Sequence, residues 1–276
     1  MKVSIAIILS SSSVLIIIII ELISAGSAAG KQNEIVNIYQ RCEQFSCGNI
    51  SFPFPFSNSD TFGTTGQYSC GLPLFKIYCD QSDLPKVELS GNLYEIKDIF
   101  TDPDRLLTVF DQRFTESVES GSCNDIRNLS IPLGGTHTGL TFASGVVNLT
   151  IFECPLRTAV DGIAGSFKCN EGSWAYVWNS TQLGPAVPKT PDGCQHAFFP
   201  VSGASLPKIR FGGNQSTWLS SVLREGFVLQ WQNLPECTKC ITDFGGRCVY
   251  DATSSTNNNN NNNNNIACFC DYGLCG

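Results

Sequence analysis

Six cysteines in the last 40 residues have the spacing of a metal site or a redox pair. Cys237 and Cys240 form a Cys-x-x-Cys motif, and Cys268 and Cys270 form a Cys-x-Cys motif further along the chain. Such motifs bind zinc or exchange disulfides, but only while their sulfurs are thiols. In an exported protein the thiols oxidise, and the same cysteines become a disulfide framework. The compartment in which the chain folds therefore decides between these chemistries.

The first 29 residues predict export through the secretory pathway. Met1-Lys2 is a short positive start, residues 3–20 are almost wholly apolar, and residues 24–30 are mostly small. This order is typical of a signal peptide, with cleavage after Ala25 or Ala29. An uncleaved membrane anchor is the alternative, because an apolar run of this length can just span a bilayer.

Fourteen cysteines occur in the chain, and all of them follow residue 41. The number is even, so seven disulfides would leave no thiol over. Together with the leader, this favours a disulfide framework over a zinc or redox site. Spacing alone does not select the pairing, although Cys268 and Cys270 lie two apart on a strand and need different partners. The predicted disulfide cysteines are Cys42, Cys47, Cys70, Cys79, Cys123, Cys154, Cys169, Cys194, Cys237, Cys240, Cys248, Cys268, Cys270 and Cys275.

Five Asn-x-Ser/Thr sequons agree with export. Each alone arises easily by chance, but five spread along a chain with a leader predict N-glycosylation at exposed positions. The acceptors are Asn49, Asn128, Asn148, Asn179 and Asn214.

Catalysis has little support in the sequence, because the chain has only two histidines to act as a base. His137 lies in a loop rich in Thr and Gly, and His196 precedes an apolar segment, so both are interpreted as loop or packing residues. Asp102 and Asp104 flank a proline, as in a solvated turn. No G-x-S-x-G elbow, phosphate-binding loop or kinase motif occurs. We expect neither enzymatic activity nor a cofactor or metal.

The net charge of -7 argues against nucleic acid or an anionic membrane as a partner. Between residues 30 and 100, five lysines and arginines stand against eight aspartates and glutamates. Long-range attraction to a polyanion is therefore not expected. A polyanionic ligand would need a local cluster of cations or a bridging calcium ion.

Short apolar segments separated by turn residues predict a mainly β fold. Lys86–Leu89 and Leu93–Ile96 flank a Ser-Gly-Asn turn and should form a hairpin. Asn214 can cap the one strong helical pattern and Gly226 can end it. The prolines of the FPFPF segment, residues 52–56, restrict it to a sheet edge. Further strands are predicted at Leu106–Phe110, Val146–Phe152, Ala175–Trp178 and Phe227–Trp231.

The expected fold class is mainly β and disulfide-rich, with two small cysteine-stapled β modules and one short helix in the second. The first module covers residues 30–125, a connection covers 126–140, and the second module covers 141–276. The run of nine asparagines, residues 257–265, has no side chains with which to build a core and is predicted to be a loop.

Six aromatic residues in the first module suggest a carbohydrate as the ligand. Sugar rings stack on exposed aromatic side chains, and Arg or Lys would bind the carboxylates of a uronic acid polymer. Burial in a small core is the alternative for each ring. The candidates are Phe52, Phe54, Phe56, Phe75, Tyr78 and Tyr94.

Residues 42–79 resemble the galacturonan-binding module of plant wall-associated receptor kinases, in particular the branch of the leaf-rust-resistance receptor-like kinases. The matching segments are CGNISFPF, residues 47–54, and CGLPLFKIYC, residues 70–79. The later chain is similar to the C-terminal wall-associated region of the same family in GFVLQW, residues 226–231, and in GGRC, residues 245–248. Val249 departs from the pattern, since the family often has glycine there.

The resemblance implies an extracellular or cell-wall module that binds wall polysaccharide, pectin or galacturonan, with a receptor kinase as a further partner. It transfers no ligand-contact residues and no kinase domain to this sequence. Membrane attachment would come only from an uncleaved leader or from a further C-terminal segment. The alternatives are a protein-interaction module (a decoy or co-receptor fragment for apoplastic peptides or receptors) and a secreted hydrolase.

If the cysteines form a disulfide framework, thiol labelling of the denatured, unreduced secreted protein should find essentially no reactive thiol. Labelling after reduction is the positive control, because it should then reach all fourteen cysteines. One stoichiometric thiol in the unreduced sample would restore the metal and redox interpretations.

Overall fold

The computed structural model describes eleven segments of the chain. They are residues 38–59, 68–80, 84–89, 91–101, 103–126, 139–160, 163–179, 189–208, 215–232, 234–251 and 266–275. The predicted leader (1–29), the asparagine run (257–265), His137 and Asp102 lie outside them, as does nearly all of the predicted connection.

The described residues group into two compact units that interleave along the sequence. Of the described residues, the small unit holds 38–43, 68–71, 235–251 and 266–275, and the large unit holds 44–59 and the described residues between 72 and 234. The predicted modules, 30–125 and 141–276, are successive halves of the chain, so they divide it differently and remain a prediction.

The large unit contains a seven-stranded sheet with the order β3-β5-β6-β7-β8-β14-β9. The predicted hairpin is confirmed, because β6 and β7 pair from Lys86↔Glu95 to Leu89↔Asn92. The FPFPF segment is not extended throughout: residues 53–56 form a turn, closed by a 3.0 Å hydrogen bond from the Phe56 amide to the Pro53 carbonyl, which leads into the edge strand β3. The strands are β3 Ser57–Asn58, β5 Lys76–Cys79, β6 Pro85–Leu89, β7 Asn92–Phe100, β8 Leu106–Phe110, β9 Leu140–Phe142 and β14 Phe227–Trp231.

The same unit holds a four-stranded antiparallel sheet and a two-stranded hairpin. The four-stranded sheet has the order β11-β12-β10-β13, and the hairpin pairs β1 with β2. One continuous hydrophobic core includes side chains of both larger sheets, among them Val87, Val109, Ile151 and Val177. The strands are β1 Phe45–Cys47, β2 Ile50–Phe52, β10 Val146–Cys154, β11 Gly165–Lys168, β12 Trp174–Asn179 and β13 Gln195–Ser202.

Two α-helices of the large unit lie in the described segments. Helix α1, Gln112–Ser120, begins where the Asp111 carboxylate accepts a hydrogen bond from the Phe114 amide at 2.9 Å, and it ends at Gly121 with a φ of 78°. Helix α2, Gln215–Glu225, follows the predicted pattern. Arg224 of α2 donates two hydrogen bonds of 2.6 Å to Glu119 of α1, and these bonds lower the pKa of the Glu119 carboxyl.

The small unit is built on a four-stranded sheet with the order β17-β16-β15-β4 and on helix α3, Pro235–Phe244. The chain is mainly β and disulfide-rich, as predicted, but α1 and α3 bring the number of α-helices above the one expected. Among the described residues, none of the helices has both the length and the apolar composition for a bilayer crossing. The strands are β4 Tyr68–Ser69, β15 Arg247–Asp251, β16 Ile266–Cys270 and β17 Gly273–Leu274.

All fourteen cysteines are paired, and each disulfide joins residues of the same unit. The large unit contains Cys47–Cys79, Cys123–Cys169 and Cys154–Cys194. The small unit contains Cys42–Cys70, Cys237–Cys248, Cys240–Cys268 and Cys270–Cys275.

Gly226 links α2 to β14 and lies close to the backbone of β8. Its φ is +76°, and a methyl group there would clash with the Val109 carbonyl oxygen of β8. We expect Gly226→Ala to lower the free energy of unfolding by at least about 3 kcal/mol, from left-handed strain plus overpacking. Gly91→Ala is the matched control, because Gly91 has a φ of +78° and open space around its Cα; it should cost only about 1–2 kcal/mol. Equal shifts in urea unfolding would contradict this account.

Three of the five predicted glycan acceptors lie in described segments: Asn179 ends β12, and Asn49 and Asn148 have exposed side chains, whereas Asn128 and Asn214 lie outside the described residues. Asn49 is in the β1–β2 turn, and Asn148 is on β10. We expect both to carry glycans in a secreted preparation. Enzymatic removal of the glycan converts the acceptor to aspartate, which peptide mass spectrometry detects; an unconverted asparagine at both sites would contradict the prediction.

Candidate functional site

The Cys-x-x-Cys motif does not form a redox pair. Cys237 and Cys240 lie on α3, and their partners are Cys248 of β15 and Cys268 of β16. The sulfurs of Cys240, Cys268 and Cys275 converge within 4.8 Å of one another, but each is part of a disulfide. The motif therefore ties a helix to a sheet.

The two described candidates for acid–base chemistry are isolated from each other. His196 is exposed on β13, where its Nδ1 lies 2.9 Å from the Thr190 hydroxyl and its ring contacts Phe198 at 5.1 Å between centroids. Asp104 is exposed in a turn, as predicted. His196 contacts the Thr190 hydroxyl, but Asp104 is hydrogen-bonded to neither of them among the described residues, so histidine, hydroxyl and carboxylate are not assembled into one catalytic group.

Four of the six candidate aromatic residues are core residues, not sugar platforms. Phe52, Phe56, Phe75 and Tyr94 are at most 2 % exposed. Their rings pack edge to face or stack with other core rings, for example Phe56 with Trp231 at 5.0 Å. All four belong to the continuous hydrophobic core of the large unit.

Tyr78 and Phe54 are the two candidates that remain half-buried. Tyr78 lies on β5, and its hydroxyl donates a 2.6 Å hydrogen bond to the Glu88 carboxylate of β6. This bond, together with desolvation, raises the pKa of Tyr78. The Lys76 ammonium lies 5.9 Å from the centre of the same ring. Tyr78 is thus a fixed ring on the outer face of the seven-stranded sheet.

Two of the clefts formed by described residues of the large unit differ in charge. The first, here the hairpin cleft, encloses about 380 Å³ and includes the side chains of Asn49, Ser51, Asp98 and Thr101. Its charged lining residue is the acidic Asp98, and Asn49 is a predicted glycan acceptor. A polyanion has little to bind here.

The second cleft, here the Lys86–Arg113 cleft, encloses about 280 Å³ and has two cations in its lining. Lys86 comes from β6, Asn92 and Leu93 from β7, and Arg113 from the first turn of α1. Leu93 is 50 % exposed, so the cleft also offers an apolar surface. Cations beside an apolar surface are the groups that a uronic acid residue requires.

The charges of this cleft are only partly neutralised by the protein. Lys86 forms a 2.8 Å ion pair with Asp80, and both side chains are partly exposed. A pair of this kind contributes about 0–1 kcal/mol, so a ligand carboxylate can replace Asp80 at small cost. Arg113 has no ion-pair partner among the described residues. Glu95 and Asp111 also line the cleft, but the Asp111 carboxylate caps α1.

Strand register and one turn of helix bring this cleft together. Lys86 faces Glu95 across the β6–β7 pair, and α1 begins directly after β8, the next strand of the sheet. Sequence reasoning counted Lys86 among few cations and did not identify Arg113 as a site residue. The sequence signals for this helix were Asp111, which can cap its start, and Gly121, which can end it. A helix between them would have placed Arg113 in its first turn, next to the predicted hairpin.

Two family profiles match the chain. The family described as wall-associated receptor kinase galacturonan-binding matches residues 42–111, and the family described as wall-associated receptor kinase C-terminal matches residues 168–273. The Lys86–Arg113 cleft takes most of its lining from the first matched segment.

A curated relative agrees with these matches. The leaf rust 10 disease-resistance locus receptor-like protein kinase-like 1.1 of Arabidopsis thaliana is 32% identical over 93 residues. The match covers 33% of this chain and 13% of that protein. No solved structure matches the chain. On the two profiles and this relative, the chain is an ectodomain of the wall-associated receptor kinase type, with a galacturonan-binding module followed by the C-terminal wall-associated region.

Proposed function

We propose that the chain binds pectin in the plant cell wall by holding galacturonate residues in the Lys86–Arg113 cleft. The observation that carries the proposal is the position of this cleft, whose two cations flank an exposed apolar side chain within or beside the galacturonan-binding match. Lys86 and Arg113 would each bind a carboxylate, and Leu93 would contact the apolar face of a sugar ring.

The proposal includes secretion and a role in reporting the state of the wall. The two family matches are of ectodomain type and imply an extracellular or cell-wall location. A signal peptide over residues 1–29, N-glycosylation and a receptor-kinase partner are further parts of the proposal. The protein would act by binding, without an enzymatic step of its own.

Retention on calcium-pectate gel, with a neutral glucan gel as control, tests the function. We expect the secreted protein to be retained on pectate and not on glucan. Replacing both cations, in the variant Lys86→Gln/Arg113→Gln, should weaken retention by about threefold or more, since it removes two exposed charge contacts of up to about 1 kcal/mol each.

Lys239→Gln is the matched control, because Lys239 is an exposed lysine on α3 of the small unit. Its retention should equal that of the wild type. Equal retention on pectate and glucan at every calcium level would contradict pectin binding. Full retention of the double variant would contradict the assignment of the cleft and leave the function to another surface.

A protein partner is a second candidate, supported by exposed apolar side chains on the small unit. Ile241 and Phe244 of α3 are 53% and 44% exposed, and Tyr272 and Leu274 of the β16–β17 hairpin are 68% and 59% exposed. Exposed apolar side chains of this size often mark interaction surfaces. A protein-interaction function predicts that Ile241→Ser/Tyr272→Ser abolishes partner binding and leaves pectate retention unchanged.

A further inference from the structure

The outer face of the four-stranded sheet carries a second group of aromatic and cationic side chains. The inner face of this sheet contributes Ile151, Ala175 and Val177 to the main core. Side chains of the opposite parity on β10 and β12 form a separate small cluster of Phe152, Cys154, Tyr176 and Trp178. At one end of this cluster the side chains reach solvent.

Trp174, the first residue of β12, is the half-buried ring at this end. It pairs with Cys154 across the sheet, and the Cys154–Cys194 disulfide fixes its neighbour. Packing against the small cluster fixes the ring itself. The indole is therefore a preorganised surface that a ligand can contact without ordering a side chain.

Two cations flank Trp174. The Arg157 guanidinium lies 5.2 Å from the centre of its ring, at the distance of a cation–π contact. The loop that carries Arg157 is held by a 2.7 Å hydrogen bond from the Thr158 amide to the Tyr176 hydroxyl. Lys168 of β11 pairs directly with Trp174, so its side chain lies on the same face, and it is exposed.

No carboxylate neutralises these cations on the described strands of this face. Glu153, the acidic residue of β10, pairs with Ala175 and so points to the opposite face. There it accepts a 2.9 Å hydrogen bond from the Ser173 hydroxyl. Lys168 forms no ion pair with a residue that the structure describes. An anionic group at Trp174 would therefore meet two cations.

We propose that Trp174, Arg157 and Lys168 form a second binding site for a uronic acid residue. The part of the half-buried indole that Arg157 and the small cluster leave uncovered would contact the apolar face of the sugar ring, and the two cations would bind its carboxylate. A neutral sugar would leave both cations unused, and a simple carboxylate would leave the ring unused. All three residues lie outside residues 42–111, the segment that matches the galacturonan-binding family, and Lys168 and Trp174 lie within the second matched segment, 168–273.

Two uronate sites on the large unit would change how the protein binds a polymer. A short oligomer occupies one site at a time, whereas a long uronan can occupy both, and its second contact is then intramolecular. The second site does not depend on the first, because its residues and its sheet are different.

Indole nuclear magnetic resonance tests the site with trigalacturonate as the probe. The chain has four tryptophans, and Trp174→Phe identifies the signal of Trp174. We expect this signal to shift saturably with trigalacturonate, while the signal of the 5% exposed Trp231 stays fixed. Lys168→Gln should weaken the apparent affinity by about threefold, in line with the loss of one exposed charge contact. Lys239→Gln should leave it unchanged.

Several results would overturn the second site. They are an unmoved Trp174 signal, an unchanged affinity in Lys168→Gln, and an equal shift with the neutral galactose trimer. The variant Lys86→Gln/Arg113→Gln separates this site from the cleft. Persistence of the Trp174 shift in that variant supports an independent site, and its loss would mean that the shift was transmitted from the cleft.

Discussion

Disulfides join neighbouring strands and hairpins of this protein and restrict the unfolded chain. Cys47–Cys79 joins the β1–β2 hairpin to β5, and Cys154–Cys194 joins the end of β10 to the segment that leads into β13. Loops of 28 to 46 residues closed by such bonds stabilise a fold by about 3–4 kcal/mol each, mainly by restricting the unfolded chain. A two-stranded hairpin is marginal in isolation, so the bond to β5 sets its place. The clefts and the Trp174 surface depend on this framework.

Charge limits how such a protein can bind an acidic polysaccharide. Residues 42–111 contain four lysines and arginines against ten aspartates and glutamates. Attraction therefore has to act at short range, in places where the protein leaves cations without a close ion pair. Arg113, Arg157 and Lys168 form no ion pair with a described residue, and Lys86 has a partly exposed pair with Asp80, although Glu95 and Asp111 also line the cleft of Lys86 and Arg113. At physiological salt, repulsion from acids more than about 8 Å away is largely screened.

Local signals in the sequence were sufficient for much of the fold. The Ser-Gly-Asn turn predicted the β6–β7 hairpin, and the Asn214 and Gly226 signals predicted α2. Helix α1 was missed because Phe114 and Val118 are its apolar residues among many polar ones, although Asp111 and Gly121 could have marked its ends. The disulfide pairing was beyond prediction, since Cys240 and Cys268 meet only through tertiary contacts. The candidate sites could not be predicted either, because they depend on tertiary contacts. Lys168, for example, lies beside Trp174 only through the register of β11 and β12.

The central claim is that protein cations bind galacturonate directly, without a calcium bridge. Calorimetric titration of the secreted protein with a defined oligogalacturonide, in the presence of a calcium chelator and at several salt concentrations, measures this. The account predicts saturable binding that weakens as salt rises and disappears when the oligomer is fully methyl-esterified. Two results would contradict it: binding that is absent in the chelator and restored by calcium, or binding of the methyl ester as tight as that of the free acid.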